Sequence, residues 1–315
     1  VGKKNFDWEN HDMKRISRRT FLQAASASAA CAAFWKSVPP LMANPLGLPV
    51  GLQLYSVRDV LPGDYEGTLK RLAPLGYREV EAAGFFGRSP SAVKQAMVGA
   101  GLRCVSAHYP LGALLPKLDE TIQYGKDLGL EYIVCSSPMM KNAGPGTDPG
   151  SHAARESMKL EDWRWNAEQF NRIGEHVAAA GMRFAYHNHT PEFGGENGVM
   201  FYDELLRLTD PAHVSMELDC GWAAVAGQKP ADLLSRHATR ITMLHVKDFK
   251  MSQGANPLPA PPSTELGRGV LDYHAIFDAA KKADIKHAFV EQEEFDMPMF
   301  EALKIDADYM RDLKT

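Results

Sequence analysis

The second half of the chain places acidic and basic side chains in two-residue steps where short apolar runs end: His187/His189, Glu217/Asp219, His245/Lys247 and Glu291/Glu293. Residues i and i+2 of a strand share one face, so both members of each pair point the same way. Four consecutive strands ending like this would send all eight side chains into one cavity. An apolar interior holds unpaired carboxylates and imidazoles only at a cost of several kcal/mol each. A divalent cation resolves that conflict. Mixed imidazole-nitrogen and carboxylate-oxygen donors suit Mn²⁺, Zn²⁺, Co²⁺ or Fe²⁺ better than Ca²⁺. A metal-free network of salt bridges and core histidines is the competing reading.

The elements that must position these residues are legible as alternating patterns. Apolar runs occur at 50–57, 78–83, 103–108, 132–136, 183–187, 213–218, 241–246 and 288–291. Several are nearly continuous in β-branched and aliphatic residues, as parallel strands covered on both faces require. Helical periodicity fills the gaps, most clearly over 160–180, where Trp163, Ala167, Phe170, Ile173 and Val177 recur at three- and four-residue steps. Further helices are expected over 69–75, 91–100, 119–128, 201–208, 231–237 and 273–283. Gly76, Gly101, Gly129 and Gly181 each stand where a helix stops and a strand begins. Eight strands alternating with helices in about 270 residues predict an α/β protein of the (β/α)₈ barrel class. A doubly wound open sheet competes, but Leu52-Gln53-Leu54-Tyr55 offers no glycine-rich phosphate turn after the first strand. The long segments 138–158 and 254–262 both follow strands, so a barrel would set both over the active-site mouth.

Several stretches together resemble one family. Tyr186-His187-Asn188-His189-Thr190-Pro191-Glu192-Phe193, Leu218-Asp219-Cys220-Gly221-Trp222, Leu244-His245-Val246-Lys247-Asp248 and Val290-Glu291-Gln292-Glu293 are similar to successive motifs of the sugar phosphate isomerase/epimerase family, whose fold is the xylose-isomerase-like TIM barrel. Leu266-Gly267-Arg268-Gly269-Val270-Leu271-Asp272 resembles the glycine turn before that family's last helix. The similarity runs from about Leu48 to the C-terminus. It implies one metal ion held from strands five to eight, here by His187, Asp219, His245 and Glu291. The chain departs from many members at strand five, where ketose 3-epimerases carry Glu. His187 and His189 both stand there, so either is the candidate ligand, and one of the two carboxylates those epimerases use as paired bases is missing.

The same resemblance frames the other candidates. His189, Glu192 and Lys247 are candidates for moving the proton; Glu192 is equally a candidate for supporting a ligand from behind or for a solvated loop acid, and Lys247 is also a candidate for fixing a carbonyl, with a salt bridge to Glu217 or Asp248 as its alternative. Glu81 and His108, at the ends of strands two and three, would line the mouth as partners of sugar hydroxyls. Trp222 would stack on a sugar face, and Arg268 would bind an anionic or carbonyl group. The reaction implied is proton abstraction beside a carbonyl. Return of the proton gives epimerisation or isomerisation, whereas loss of a β-substituent gives a lyase or dehydratase.

Composition sets the remaining bounds. The 315 residues carry a net charge of −4, and no apolar run reaches the roughly 18 residues of a membrane span. Up to Asn44, seven Lys/Arg face three acids, a net +4 that leaves −8 for the rest. An acidic body argues against nucleic acid and against a phosphodiesterase of the apurinic-endonuclease type. Ser17-Arg18-Arg19-Thr20-Phe21-Leu22, followed by an Ala-rich stretch, resembles a twin-arginine export signal. Residues 1–44 are therefore expected to be a leader, and 45–315 a single barrel in the periplasm or otherwise exported. Export favours a non-phosphorylated sugar or keto-glycoside as substrate, with a non-catalytic periplasmic sugar-binding protein as the rival; a homo-oligomer is compatible with either. Cys104, Cys135 and Cys220 have no metal or disulfide spacing and are expected to be buried free thiols.

Overall fold

A computed structural model describes residues 43–142, 148–250 and 261–315. The expected leader lies outside the described residues except for its last two positions. Within them, eight parallel strands close into a barrel. They are β1 (Gly51–Gln53), β2 (Glu79–Ala82), β3 (Arg103–Pro110), β4 (Tyr132–Ser137), β5 (Arg183–His187), β6 (Val214–Asp219), β7 (Ile241–Val246) and β8 (His287–Val290), and β8 pairs back onto β1. The outer helices are α1 (Tyr65–Leu75), α2 (Pro90–Ala100), α3 (Leu118–Leu128), α4 (Leu160–Ala179), α5 (Phe201–Leu208), α6 (Pro230–Arg236), α7 (Tyr273–Ala280) and α8 (Met299–Asp312), one after each strand. The (β/α)₈ expectation is met, and each strand falls near its apolar run.

The apolar runs form strands here because both faces are covered. Every residue of β7 is buried, as is every residue of β8. Inside the barrel Val105, Tyr132, Val134, Ala185, Met243 and Phe289 form a separate apolar plug, while the outward faces pack under the helices in the main core. The three described cysteines are free and buried, as their surroundings in the sequence imply.

Three features differ from the sequence expectation. The first strand is short, because Leu54–Val57 turns into a 3₁₀ segment capped by the Gln53 side chain, which accepts from the Tyr55 N–H. The glycine turn at 266–272 precedes α7 rather than the last helix, since α8 follows it. Segment 138–158 contains a short helix, His152–Ser157, started by the Ser151 side chain accepting from Ala154 N–H. No helix among the described residues is long and apolar enough to cross a membrane.

Asp248, one residue beyond Lys247, fastens the glycine turn. Its carboxylate accepts backbone N–H groups from Gly267, Gly269, Val270 and Leu271 at 2.9–3.1 Å. The turn needs glycine at 267, whose φ of +77° is left-handed and whose missing side chain leaves room for the Tyr309 ring.

The opposite, N-terminal end of the barrel is tied by charge. His287 Nδ1 lies 2.7 Å from Glu79 Oε2, whose sister Oε1 pairs with Arg103, and His287 Nε2 lies 3.4 Å from Glu131. Burial works against a charge on His287, but Glu131 and Glu79 outweigh it and hold its pKa up to about 9. A raised folded-state pKa contributes stability that is complete below the unfolded value of about 6.5 and is lost as pH rises through the folded value. The melting temperature should therefore fall from pH 7 to pH 10, with a shallower fall in His287→Gln. Parallel curves for the two proteins would refute this account.

Candidate active site

Strand register sets the level at which the polar residues meet. His187 lies opposite Glu217 across β5 and β6, Asp219 opposite His245 across β6 and β7, and Gln53 opposite Glu81 across β1 and β2. All stand at or near the C-terminal ends of their strands, where a (β/α)₈ barrel builds its chemistry.

His245 is the hub. Its Nε2 lies 2.8 Å from Glu81 Oε1 and 3.4 Å from Glu217 Oε2; its Nδ1 lies 3.1 Å from Glu291 Oε2 and 3.7 Å from Asp219 Oδ2. On the Nε2 side, His108 Nε2 lies 2.8 Å from both Glu81 and Glu217, its ring stacked on that of His245. His187 Nδ1 reaches Glu217 Oε2 at 3.1 Å, and Gln53 Nε2 donates to Glu81 at 2.8 Å. On the Nδ1 side, the Lys247 ammonium pairs with Glu291 at 2.9 Å and with Glu293, and stands 4.8 Å from the centre of the Trp222 ring. Gly221 allows this approach: a Cβ there would meet Lys247 O at 2.9 Å and Phe249 at 2.8 Å.

The electrostatics follow from crowding and burial. Burial raises Glu217, helped by Glu81. Burial also lifts Asp219 to about 6, against the pull of Lys247 and His245. Burial opposes charge on Glu81 and Glu291 too, but His108 and His245 hold the first, and Lys247 and His245 the second, below the usual carboxylate range. Burial likewise disfavours charge on His245 and Lys247, yet Glu217 and Glu291 beside the first, and Glu291 and Glu293 beside the second, keep both protonated. His187 and His189 are pushed well below the usual histidine range, by burial first and neighbouring cations next. They are neutral, which is the form that ligates a metal or accepts a proton.

A divalent ion fits the donors. Asp219 Oδ2, His245 Nδ1 and Glu291 Oε2 lie within 4.8 Å of one another on buried side chains, and Asp219 Oδ2 has no hydrogen-bond partner. Its sister Oδ1 accepts from Trp222 N–H at 2.7 Å, capping the short helix Cys220–Val225 and fixing the carboxylate. Separations of 3.1 and 3.7 Å suit two donors that each sit roughly 2.1 Å from one ion. Glu81 Oε2, Glu217 Oε1 and His189 Nδ1 are also buried without partners, a high density of unmet polar groups for one barrel end.

The structure brings Asp219, His245 and Glu291 into one candidate metal cluster. His187 falls in the neighbouring cluster with His108, Glu217 and His245. His189, with Nδ1 unpartnered, lies beside His187 at a ring distance of 4.9 Å. A cavity of about 490 Å³ opens above, lined by His108, His187, His189, Trp222 and Glu291 among others.

Four of the candidates for proton transfer and substrate contact do not line the cavity. Glu81 is fully buried beneath His108 rather than at the mouth. Glu192 is also fully buried, bonded to the Tyr186 hydroxyl and to His189 N–H at 3.0 Å, so it braces the strand-five end rather than facing the cavity. Arg268 is half exposed, pairs with Glu265 at 3.3 Å and does not line the cavity. Lys247 is fully buried, does not line the cavity, and pairs with Glu291 and Glu293 rather than with Glu217 or Asp248. Residues absent from the sequence reading are Gln53 beside the cluster, and Tyr55, Ser136, Ser137 and Arg155 on the cavity wall. Gln53 and the two serines stand at the ends of their strands but are uncharged, so the charged-pair rule applied to the late strands passes over them. Arg155 sits in a short helix within an irregular segment and had no such signal.

With the fold and site in view, the comparisons can be placed. Residues 69–313 match the model of the xylose isomerase-like TIM barrel. The chain belongs to that family. Among curated members, the inosose dehydratase of Geobacillus thermodenitrificans (strain NG80-2) is 25% identical over 249 residues, covering 74% of this chain and 83% of the relative. Among solved structures, a sugar phosphate isomerase/epimerase of Parabacteroides distasonis ATCC 8503 is 25% identical with a TM-score of 0.65, covering 83% of this chain and 93% of the other. The 3-keto-D-glucoside 4-epimerase YcjR of E. coli shares the fold at 16% identity and a TM-score of 0.60, covering 84% of this chain and 100% of the other. This xylose isomerase-like barrel thus stands among sugar-modifying enzymes, both isomerase/epimerases and dehydratases.

Elemental analysis of the purified protein should find about one equivalent of Mn, Zn, Co or Fe. Asp219→Ala and His245→Ala should each lose it, since each removes a donor from a three-donor cluster. Full retention in both variants, or a wild type that takes up no divalent ion, would exclude this cluster as the site.

Proposed function

We propose that the protein is a metal-dependent isomerase or epimerase that removes and returns the proton on the carbon beside a carbonyl of a non-phosphorylated keto-sugar or keto-glycoside. The observation that carries this reading is the position of His189. A neutral imidazole with an unpartnered Nδ1 lines the same cavity as Glu291 and stands one residue pair along from His187. Asp219, His245 and Glu291 would hold a divalent ion, which would supply Lewis-acid polarisation of the carbonyl and a neighbouring hydroxyl.

The chain's own groups do the rest. Lys247, a fully buried cation behind Glu291, keeps a fixed positive charge beside the metal cluster. Trp222 packs beside it and gives an apolar wall for a sugar face. The His189 imidazole, which lines the cavity, accepts the proton, and Glu192 holds the His189 backbone in place. Return of the proton by His189 to the adjacent carbon isomerises the sugar, whereas inversion of the centre requires a second proton donor on the opposite face.

Elimination of a β-hydroxyl is the second reading. It is supported by His108, which lines the cavity wall; burial opposes its charge, but Glu81 and Glu217 raise its pKa to about 9. A protonated imidazole there suits a departing hydroxide. The similarity to an inosose dehydratase supports it as well. Export is part of the proposal: the twin-arginine-like segment at 17–22 would carry the folded chain to the periplasm. Fractionation of cells producing the full chain should find the mature protein there, and a cytosolic location would remove the argument for a non-phosphorylated substrate.

The chemical test is solvent exchange. In D₂O the metal-loaded protein should place deuterium on the carbon beside the carbonyl of a keto-glycoside. His189→Ala should slow this by about 10²–10⁴-fold, the usual worth of a positioned acid–base group, whereas Glu192→Gln should cost far less. Tight binding without exchange would leave a sugar-binding protein; exchange untouched in His189→Ala would assign the proton transfer elsewhere.

A further inference from the structure

A second cavity, of about 330 Å³, adjoins the first along the segment after β5 and shares Arg155, Thr190 and Pro191 with it. Either space reaches the lower size of a small-molecule pocket, roughly 300 Å³, and a single sugar ring does not need both. The second is walled by Phe193 and Phe201 and by Lys159, Glu156 and Glu196. Glu196 is engaged, accepting from Leu160 N–H at 2.8 Å.

Arg155 stands at the junction. Among the described residues no side chain forms a hydrogen bond or ion pair with its guanidinium, and its Nε is buried without a partner. A guanidinium held at a cavity wall without a carboxylate leaves donors unmet, and its planar fork matches a planar carboxylate in a two-bond pairing. The other charges of the second cavity are Lys159 against Glu156 and Glu196. That setting admits one added negative charge more readily than a phosphate, which carries about −1.5 to −2.

We propose that the substrate is a two-unit glycoside whose reacting ring occupies the first cavity, while its second unit occupies the adjoining one and carries a carboxylate paired with Arg155. The assignment rests on the keto-glycoside reading above. Arg155 is thereby a specificity-determining residue outside the metal cluster.

The test compares binding with turnover. Binding of unreactive glucosyl-glucuronic acid is measured by calorimetry beside the matched glucosyl-glucose. The acidic disaccharide should bind about tenfold or more tightly, the effect of one charge-assisted pair. Arg155→Met should abolish the difference between the two disaccharides, and Arg155→Lys should restore only part of it. Equal affinities in the wild type would overturn the proposal without need of any variant, and so would a preference that survives in a folded Arg155→Met. The two readings fail separately. A preference for the acidic disaccharide without deuterium exchange keeps the subsite and removes the reaction, whereas exchange without the preference keeps the reaction and removes the subsite.

Discussion

The structure turns on the burial of more carboxylates than the local cations can neutralise. Glu81, Glu217, Asp219 and Glu291 converge on one imidazole, His245, with Lys247 the buried ammonium beside them. In a low-dielectric interior this arrangement persists only if opposing charge is supplied or carboxylates take up protons. The upward shift of Asp219 and Glu217 shows the second response. A divalent ion supplies the first, and its binding would release the protons that the cluster otherwise holds.

Everything that surrounds the cluster keeps it in register. The parallel ladder aligns His187 with Glu217 and Asp219 with His245. Asn188 binds the Asp219 backbone in both directions, its Oδ1 accepting from N–H at 3.0 Å and its Nδ2 donating to the carbonyl at 3.3 Å. Asp248 pins the glycine turn under the end of β7, so the segment carrying Lys247 is held from both sides. Rigid support of this kind lets a polar cluster remain aimed at a cavity instead of collapsing onto itself.

Most of this architecture was legible from the chain. Buried parallel strands write themselves as unbroken apolar runs, so all eight could be located, and two-residue spacing at the late strand ends identified the site. The misses have physical causes. α8 places Asp306 among Ala302, Leu303, Ala307 and Met310 on its buried face, and a carboxylate in the apolar stripe obscures the helical period. Glu81 and Glu192 were read as mouth residues because both follow or end strands, yet spacing carries no depth. Depth came from partners: His245, distant in the chain, for Glu81, and Tyr186, back inside β5, for Glu192. Arg268 was drawn toward the site by its glycine neighbours, whereas Asp248 holds that turn through backbone groups and leaves the guanidinium outside. Arg155 joined the cavity through the path of an irregular segment, which periodicity does not encode.

The two nitrogens of His245 divide the barrel between them. Nδ1 faces Asp219 and Glu291, and Nε2 faces Glu81 on the far wall, itself held by Gln53. With a cation on the first nitrogen, the remaining proton must reside on the second, so the tautomer of the ligand is dictated from β2. A partner of this sort fixes ring orientation and raises the basicity of the ligating nitrogen. Metal preference in this barrel is thus adjustable from a side chain that no ion touches, and descent within the family could retune the metal while leaving every donor in place.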